Sequence, residues 1–165
     1  MMTDAELMKL SAEIGRQLQR LQATLTTAES CTGGWIAKVL TDVAGSSCWF
    51  ERGFVTYSNQ AKQQMTGVTA DSLARHGAVS EQVVREMAEG ARVEADADFA
   101  ISVSGIAGPD GGSDDKPVGT VWFGFAVRNR ETKVQRQIFS GDREAVRRQA
   151  TAWGLQTLYA HFLKN

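Results

Sequence analysis

The sequence predicts an α/β fold: one domain over residues 1–165, a three-layer α/β/α sandwich built on a mixed sheet. Three observations predict it. Helical and β-prone segments follow one another as helix, strand, helix, strand, three helices, three strands and a helix, an order that builds layered sheets with helical cover. Phe99 to Ser104 is apolar without alternation, as a central strand buried on both faces must be. The last two strands adjoin through a short polar turn, which adds antiparallel pairing to the sheet. A chain of 165 residues is long enough for a proper core.

Leu7, Leu10, Ile14, Leu18 and Leu21 recur at helical spacing, and Thr3 or Asp4 can cap that first helix. Ala23 to Ala28 is β-prone. Trp35 to Val43 is a second helix with Ile36, Val39, Leu40 and Val43 on one face, broken by Ala44-Gly45-Ser46-Ser47. Phe50 to Tyr57, aromatic and β-branched, is read as a second strand. Short helices follow over Asn59 to Met65, ending near Gly67, and over Ala70 to His76, closed by Gly77. Ser80 caps a longer helix that turns Val83, Val84, Met87 and Ala91 inward. After Phe99 to Ser104 comes a glycine-rich loop, Gly105 to Gly112. Strands are expected over Val118 to Val127 and Lys133 to Phe139, joined by Arg128-Asn129-Arg130-Glu131. Asp142 opens a final helix to about Leu163, with Val146, Ala150, Trp153 and Leu158 near one stripe.

Composition narrows the function classes. The 18 Lys+Arg against 19 Asp+Glu give no basic surface for nucleic acid or for a membrane. Met1 to Leu10 carries Asp4, Glu6 and Lys9 and is not a signal peptide, and no apolar run approaches membrane-spanning length. Cys31 and Cys48 have no metal or disulfide spacing. A soluble cytoplasmic protein is the expectation.

Polar loops beyond strand C-termini gather at one edge of such a sheet. Three qualify: Glu29 to Gly34, Ser58 to Lys62 and Ser104 to Gly112. The first is a strand-to-helix turn, Thr26-Thr27-Ala28-Glu29-Ser30-Cys31-Thr32-Gly33-Gly34, that offers three nucleophiles, Ser30, Cys31 and Thr32. Free N–H groups of the following helix would face whatever the nucleophile attacks. A serine needs a base. His76 and His161, the only histidines, both fit helix ends better than a catalytic role, which argues against a Ser-His-Asp arrangement. Lysine is left as the base, and Lys62 lies one helical turn beyond Tyr57-Ser58-Asn59. Burial would have to lower its pKa. From spacing alone a solvated lysine is the better reading of Lys62, and a half-buried strand aromatic that of Tyr57. Ser30 as a helix cap is equally acceptable. Cys31 competes as nucleophile, although a small buried hydrophobe is its commoner role.

The loop Gly105 to Gly112 lacks the Gly-Lys-Ser/Thr ending of a phosphate-binding P-loop, and no helix follows it. Its glycines still allow backbone N–H groups to approach an anion. Ser104 precedes it as a second hydroxyl. Asp110, Asp114 and Asp115 read as a solvated acidic stretch and not as metal ligands. Arg143 and Arg147, one turn apart, could clamp a phosphate, although surface ion pairs are the commoner use of such residues.

The motifs Thr27-Ala28-Glu29-Ser30-Cys31-Thr32-Gly33-Gly34, Tyr57-Ser58-Asn59 with Lys62, Gly77-Ala78-Val79-Ser80, Ser104-Gly105-Ile106-Ala107-Gly108-Pro109-Asp110-Gly111-Gly112, Lys116-Pro117-Val118-Gly119-Thr120-Val121 and Ser140-Gly141-Asp142-Arg143 run in order along the whole chain. Together they resemble the CinA C-terminal domain family, the nicotinamide-nucleotide amidohydrolases. The resemblance implies hydrolysis of the carboxamide of nicotinamide mononucleotide (NMN) to nicotinate mononucleotide and ammonia, with Ser30 as nucleophile and Lys62 as its partner. It places Tyr57 and Ser104 among the polar site residues. Many relatives have Thr where this chain has Ser104, and the hydroxyl survives that change. A homodimer and a small-molecule substrate are implied; no cofactor or metal is required. Longer members carry a further N-terminal domain with pyrophosphatase activity, which is not assigned here.

The two lines combine into one expectation. Lys62, assisted by Tyr57, takes the Ser30 proton, and amides around Thr32, Gly33 and Gly34 receive the oxyanion. The phosphate rests on the Gly105 to Gly112 amides, Gly105 and Gly108 foremost, or on Arg143 and Arg147. A nucleotide-binding module without turnover, or hydrolysis of a different amide, would use the same loops.

Overall fold

The computed structural model describes residues 1–164. Six helices and five strands occur in the order α1 (Asp4–Leu21), β1 (Leu25–Glu29), α2 (Trp35–Thr41), β2 (Phe54–Val55), α3 (Asn59–Thr66), α4 (Ala70–His76), α5 (Glu81–Glu94), β3 (Phe99–Gly105), β4 (Thr120–Val127), β5 (Lys133–Ile138) and α6 (Arg143–Leu158). A 3₁₀ turn, Ser46–Cys48, follows α2, and a π-helical turn, Tyr159–Leu163, extends α6. The caps are those that the side chains announce. Thr3 and Glu6 form a reciprocal capping box on α1, and Ser58, Ser80 and Asp142 each accept an amide of the first turn they precede.

The strands form one sheet in the order β2-β1-β3-β4-β5. β1 runs parallel to both β2 and β3, whereas β3–β4 and β4–β5 are antiparallel. The sheet is therefore mixed, with helices on both faces. On one face Ile36, Leu40, Ile101, Phe123, Phe125, Val146 and Leu155 pack with the inner sides of α1, α2 and α6. On the other, Ala28, Val83, Val84, Met87 and Ala91 pack beneath α5, with Trp122 and Val134 at their margin. β4 shows the two-residue alternation that separates the faces: Phe123 and Phe125 point one way and Trp122 the other.

The second strand is shorter than the expected Phe50 to Tyr57. Trp49 and Phe50 are buried, and Phe50 makes one isolated bridge to Leu25. The chain then leaves the ladder at Glu51-Arg52-Gly53. The Thr26 hydroxyl donates to the Arg52 carbonyl at 2.7 Å and so replaces a ladder bond. Gly53 is seated so closely on β1 that a Cβ there would lie 2.7 Å from Thr27 Oγ1. β-propensity over 50–57 is real, but the backbone partners are consumed otherwise. α2 also stops at Thr41, two residues before Val43.

Register positions the site. Glu29 pairs with Val55 on one side and with Val103 on the other. The next residues, Ser30, Thr56 and Ser104, therefore lie level at the C-terminal edge of three parallel strands. Side-chain alternation then divides them by face. Ala28 packs toward α5, so Ser30 shares that face, which is also the face of α3. Glu29 points to the opposite face, where α2 begins.

Candidate active site

Ser30 follows β1 directly, and its amide donates to the Val103 carbonyl at 3.0 Å, which continues the β1–β3 ladder by one residue. Its hydroxyl is 3.0 Å from Lys62 Nζ. Lys62 lies in the first turn of α3. Helical side chains lean toward the helix N-terminus, so Lys62 folds back over the chain that enters α3. There its Nζ donates to the Thr56 carbonyl at 2.9 Å and to the Tyr57 carbonyl at 3.3 Å. The residue is only 1% exposed.

This geometry decides the chemistry of the amine. Burial pushes its pKa below the ordinary lysine value, with attraction to Cys31 opposing. The positive end of the α3 dipole acts in the same direction as burial. A neutral amine has two N–H donors and one lone pair. Two of its three oxygen neighbours are carbonyls, which can only accept. The donors therefore go to Thr56 and Tyr57, and the lone pair is left facing the Ser30 hydroxyl. This is the arrangement that proton abstraction from Ser30 requires.

Cys31 adjoins this pair but is buried, and its thiol is pushed up to about 12, first by burial and then by the charge on Glu29. At neutral pH it is a thiol, as a small core residue would be. Ser104, also buried, lines the same cavity, and among the described residues its hydroxyl has no protein partner.

Ser30, Cys31, Lys62 and Ser104 open into a cavity of roughly 260 Å³. Its remaining walls are Tyr57 and Asn59, Ala78 and Val79 from the loop before α5, Gly105 and Ala107, and Arg143. Tyr57 is 61% exposed and stands at the mouth. Its phenol oxygen accepts from Arg143 Nη2 at 3.1 Å, while it is the backbone carbonyl of Tyr57 that orients Lys62. Arg143 also donates to the Gly108 carbonyl at 2.8 Å and so ties the glycine-rich loop to Tyr57 across the opening. Gly108 thus meets the site through its carbonyl. Gly105 has no room for a side chain: a Cβ would lie 2.6 Å from Val121 Cγ2 and 2.9 Å from the Thr120 carbonyl.

The other predicted binding residues lie elsewhere. Thr32, Gly33, Gly34 and Arg147 line a neighbouring cleft with Trp35 and Arg148. The amides expected to receive an oxyanion are partly occupied: the Gly33 amide donates to the Ser30 carbonyl at 3.0 Å, and that of Gly34 is drawn to the Glu29 carboxylate. Among the described residues, the Cys31 and Thr32 amides of this turn donate to no oxygen. Arg147 likewise faces protein and not the cavity, with Nε on the Cys31 carbonyl at 3.0 Å. Arg143 and Arg147 share a helical face, but a four-residue step of about 6 Å puts one at the rim and the other behind the turn.

Glu29 has a part that spacing does not show. It is completely buried and takes the place of a cap for α2, whose N-cap residue, Gly34, has no side chain. Its carboxylate accepts from the Thr32 hydroxyl at 2.6 Å and from the Ile36 and Ala37 amides at 2.9 Å each. Burial raises its pKa, and those donors oppose the rise. The turn is thus folded around Glu29. The signal available in the sequence is a carboxylate six residues before an uncapped helix start. Ala78, Val79 and Ala107 have no role in the residue reading, because apolar cavity walls look like core, and Asn59 has none because a polar residue at a helix start is ordinary. Among the described residues, no group of three or more His, Cys, Asp or Glu could hold a metal, and no helix is long and apolar enough to cross a membrane.

Comparison with known proteins bears on family and fold. The family model of the CinA C-terminal domain matches residues 7–162. The nicotinamide-nucleotide amidohydrolase PncC of Escherichia coli (strain K12) is 67% identical over 164 residues, covering 99% of each chain. That of Pseudomonas putida is 52% identical over 149 residues, covering 90% of this chain and 92% of its own. Among solved structures, the competence damage-inducible protein A of Klebsiella pneumoniae superposes with a TM-score of 0.90 at 44% identity, covering 94% of this chain and 98% of its own. The competence/damage inducible protein CihA of Agrobacterium tumefaciens gives 0.91 at 41% identity, covering 96% of both.

Proposed function

The chain belongs to the CinA C-terminal domain family, and on that premise we propose that it is a nicotinamide-nucleotide amidohydrolase that converts NMN to nicotinate mononucleotide and ammonia with Ser30 as nucleophile and Lys62 as base. The observation that carries the mechanism is the buried Lys62 amine 3.0 Å from Ser30 Oγ. Full-length relatives named as enzymes of this activity carry the substrate.

Lys62 Nζ takes the Ser30 proton as Oγ bonds to the carboxamide carbon. The carbonyl π pair moves onto oxygen, which the Cys31 and Thr32 amides receive. Removal of one such donor typically slows an enzyme on the order of a hundredfold. The intermediate collapses, the C–N bond breaks, and protonated Lys62 gives its proton to the departing nitrogen, which leaves as ammonia. Water, losing a proton to Lys62, then attacks the acyl-serine. The Ser30 oxygen leaves and regains its proton from Lys62, and the carboxylic acid formed gives its own proton to solvent and departs as the carboxylate. The apolar walls Ala78, Val79 and Ala107 suit a flat pyridine ring. Arg143, with five N–H donors of which two hold Gly108 and Tyr57, has donors left for the substrate phosphate. Ser104 offers a hydroxyl to the carboxamide. A pure binding module has no use for an amine buried against a hydroxyl, because that burial costs stability. A homodimer, on the family resemblance, and a cytoplasmic location, on composition, complete this reading.

Ammonia release from NMN, nicotinamide, NAD and glutamine tests it. Turnover of NMN is expected, with kcat in Ser30→Ala reduced on the order of a thousandfold or more. Wild-type rates in Ser30→Ala, or a preference for glutamine, would overturn it.

A further inference from the structure

The turn that presents Ser30 is gripped from the opposite face of the sheet. Arg147, in the second turn of α6, donates through Nε to the Cys31 carbonyl at 3.0 Å, and its Nη2 lies 3.4 Å from the Thr32 carbonyl. The guanidinium also stacks 5.8 Å from the centre of the Trp35 ring. A planar fork held at two carbonyls and one aromatic face has little freedom to turn. A Cβ on Gly33 would lie 3.0 Å from Arg147 Nη2, so the turn and the fork are in close contact.

The consequence follows from peptide geometry. In a trans peptide the C=O and N–H point in opposite directions. The Cys31 carbonyl belongs to the same peptide unit as the Thr32 amide. With that carbonyl drawn to Arg147, the Thr32 N–H is directed away from the Arg147 cleft. Among the described residues that amide donates to no oxygen. The next unit obeys the same rule: its carbonyl, Thr32, leans to Arg147, and its amide, Gly33, points back to the Ser30 carbonyl at 3.0 Å.

We propose that Arg147 is a positioning residue that sets the Cys31–Thr32 peptide, and so keeps the Thr32 amide aimed at the oxygen that becomes negative when Ser30 attacks. It acts through the backbone and does not touch the substrate. This inference rests on the amidohydrolase reading of the Ser30 site. It also separates Arg147 from Arg143, which lines the cavity and is free to meet a phosphate.

The test compares Arg147→Ala, Arg147→Gln and Arg147→Lys with wild type on NMN and on nicotinamide riboside, which lacks the phosphate. Arg147→Ala is expected to lose on the order of tenfold to a hundredfold in kcat with KM nearly unchanged, equally on both substrates. Arg147→Lys and Arg147→Gln, which keep one donor for the Cys31 carbonyl, are expected to recover part of the loss. An unchanged kcat would overturn the proposal, as would a rise in KM confined to the phosphorylated substrate, which marks a phosphate clamp. Crystal structures of Arg147→Gln and Arg147→Ala give the second reading. The Cys31–Thr32 peptide is expected to rotate in Arg147→Ala, and an unmoved peptide overturns the proposal. If wild type hydrolyses neither substrate, the amidohydrolase reading fails, while the peptide orientation in these variants still decides the role of Arg147.

Discussion

Lys62 has two properties that pull against each other at the scale of a single residue. An amine buried to 1% exposure is costly to charge, yet it is the charge it acquires that makes it a base. Its folded pKa is lowered from the ordinary 10.5. Below that lowered value the folded state must carry a buried ammonium, and above 10.5 both folded and unfolded chains are neutral. Between the two the unfolded chain binds more protons, so stability rises with pH. Urea melts across pH 7 to 10.5 are expected to show wild type gaining on Lys62→Met as pH increases. Equal slopes would mean that Lys62 is not depressed. Activity follows the same proton: kcat/KM is expected to rise with pH along a limb whose midpoint lies below 10.5, as general-base catalysis requires. Ser30, Lys62 and Ser104 were legible as candidates because hydroxyls and a lysine recur at strand ends. Glu29 was not, since a carboxylate six residues before an uncapped helix start is a weaker signal than a side chain at the cap position itself. The raised pKa of the Cys31 thiol was not legible either, because it depends on burial and on the Glu29 charge beside it.

Elements transmit position to the site, and α3 is the clearest case. It carries Lys62 and packs on α5 through Gly90. A Cβ on Gly90 would lie 1.7 Å from the Thr66 carbonyl, the last residue of α3. Gly90→Ala must therefore push the two helices apart. Overpacking of this kind costs about 1–3 kcal/mol. A loss of that size in urea unfolding is expected, together with a fall in kcat as Lys62 moves off Ser30. A variant that loses stability but keeps full activity would show that α3 shifts without displacing its lysine from Ser30. Helix starts were legible at this scale, because Thr3, Ser58, Ser80 and Asp142 each have a side-chain acceptor at the cap. The extent of β2 was not. Residues 50–57 have strand composition throughout, but the Arg52 carbonyl is taken by Thr26 from another strand, a contact that local propensity cannot contain.

The whole molecule is organised by one sheet, with a core on each face and the site at the edge where three parallel strands end. Both cores share the same strands, so neither face can unfold alone without exposing the other. A single cooperative transition is expected, with circular dichroism and tryptophan fluorescence giving coincident curves. Two separated transitions would argue for independent units. The sequence by itself determined the fold class, the strand-end placement of the polar loops, the shortage of histidine that made lysine the candidate base, and the family resemblance on its ordered motifs. These are carried by composition and by short-range periodicity. Only the tertiary structure decided that Lys62 reaches Ser30, that Arg143 enters the cavity while Arg147 holds the turn from behind, and that Glu29 caps α2. Each of these joins groups by register across the sheet, by the side of the sheet on which a helix lies, or by the direction of a peptide plane. Such relations depend on contacts between distant residues, and no local pattern along the chain encodes them.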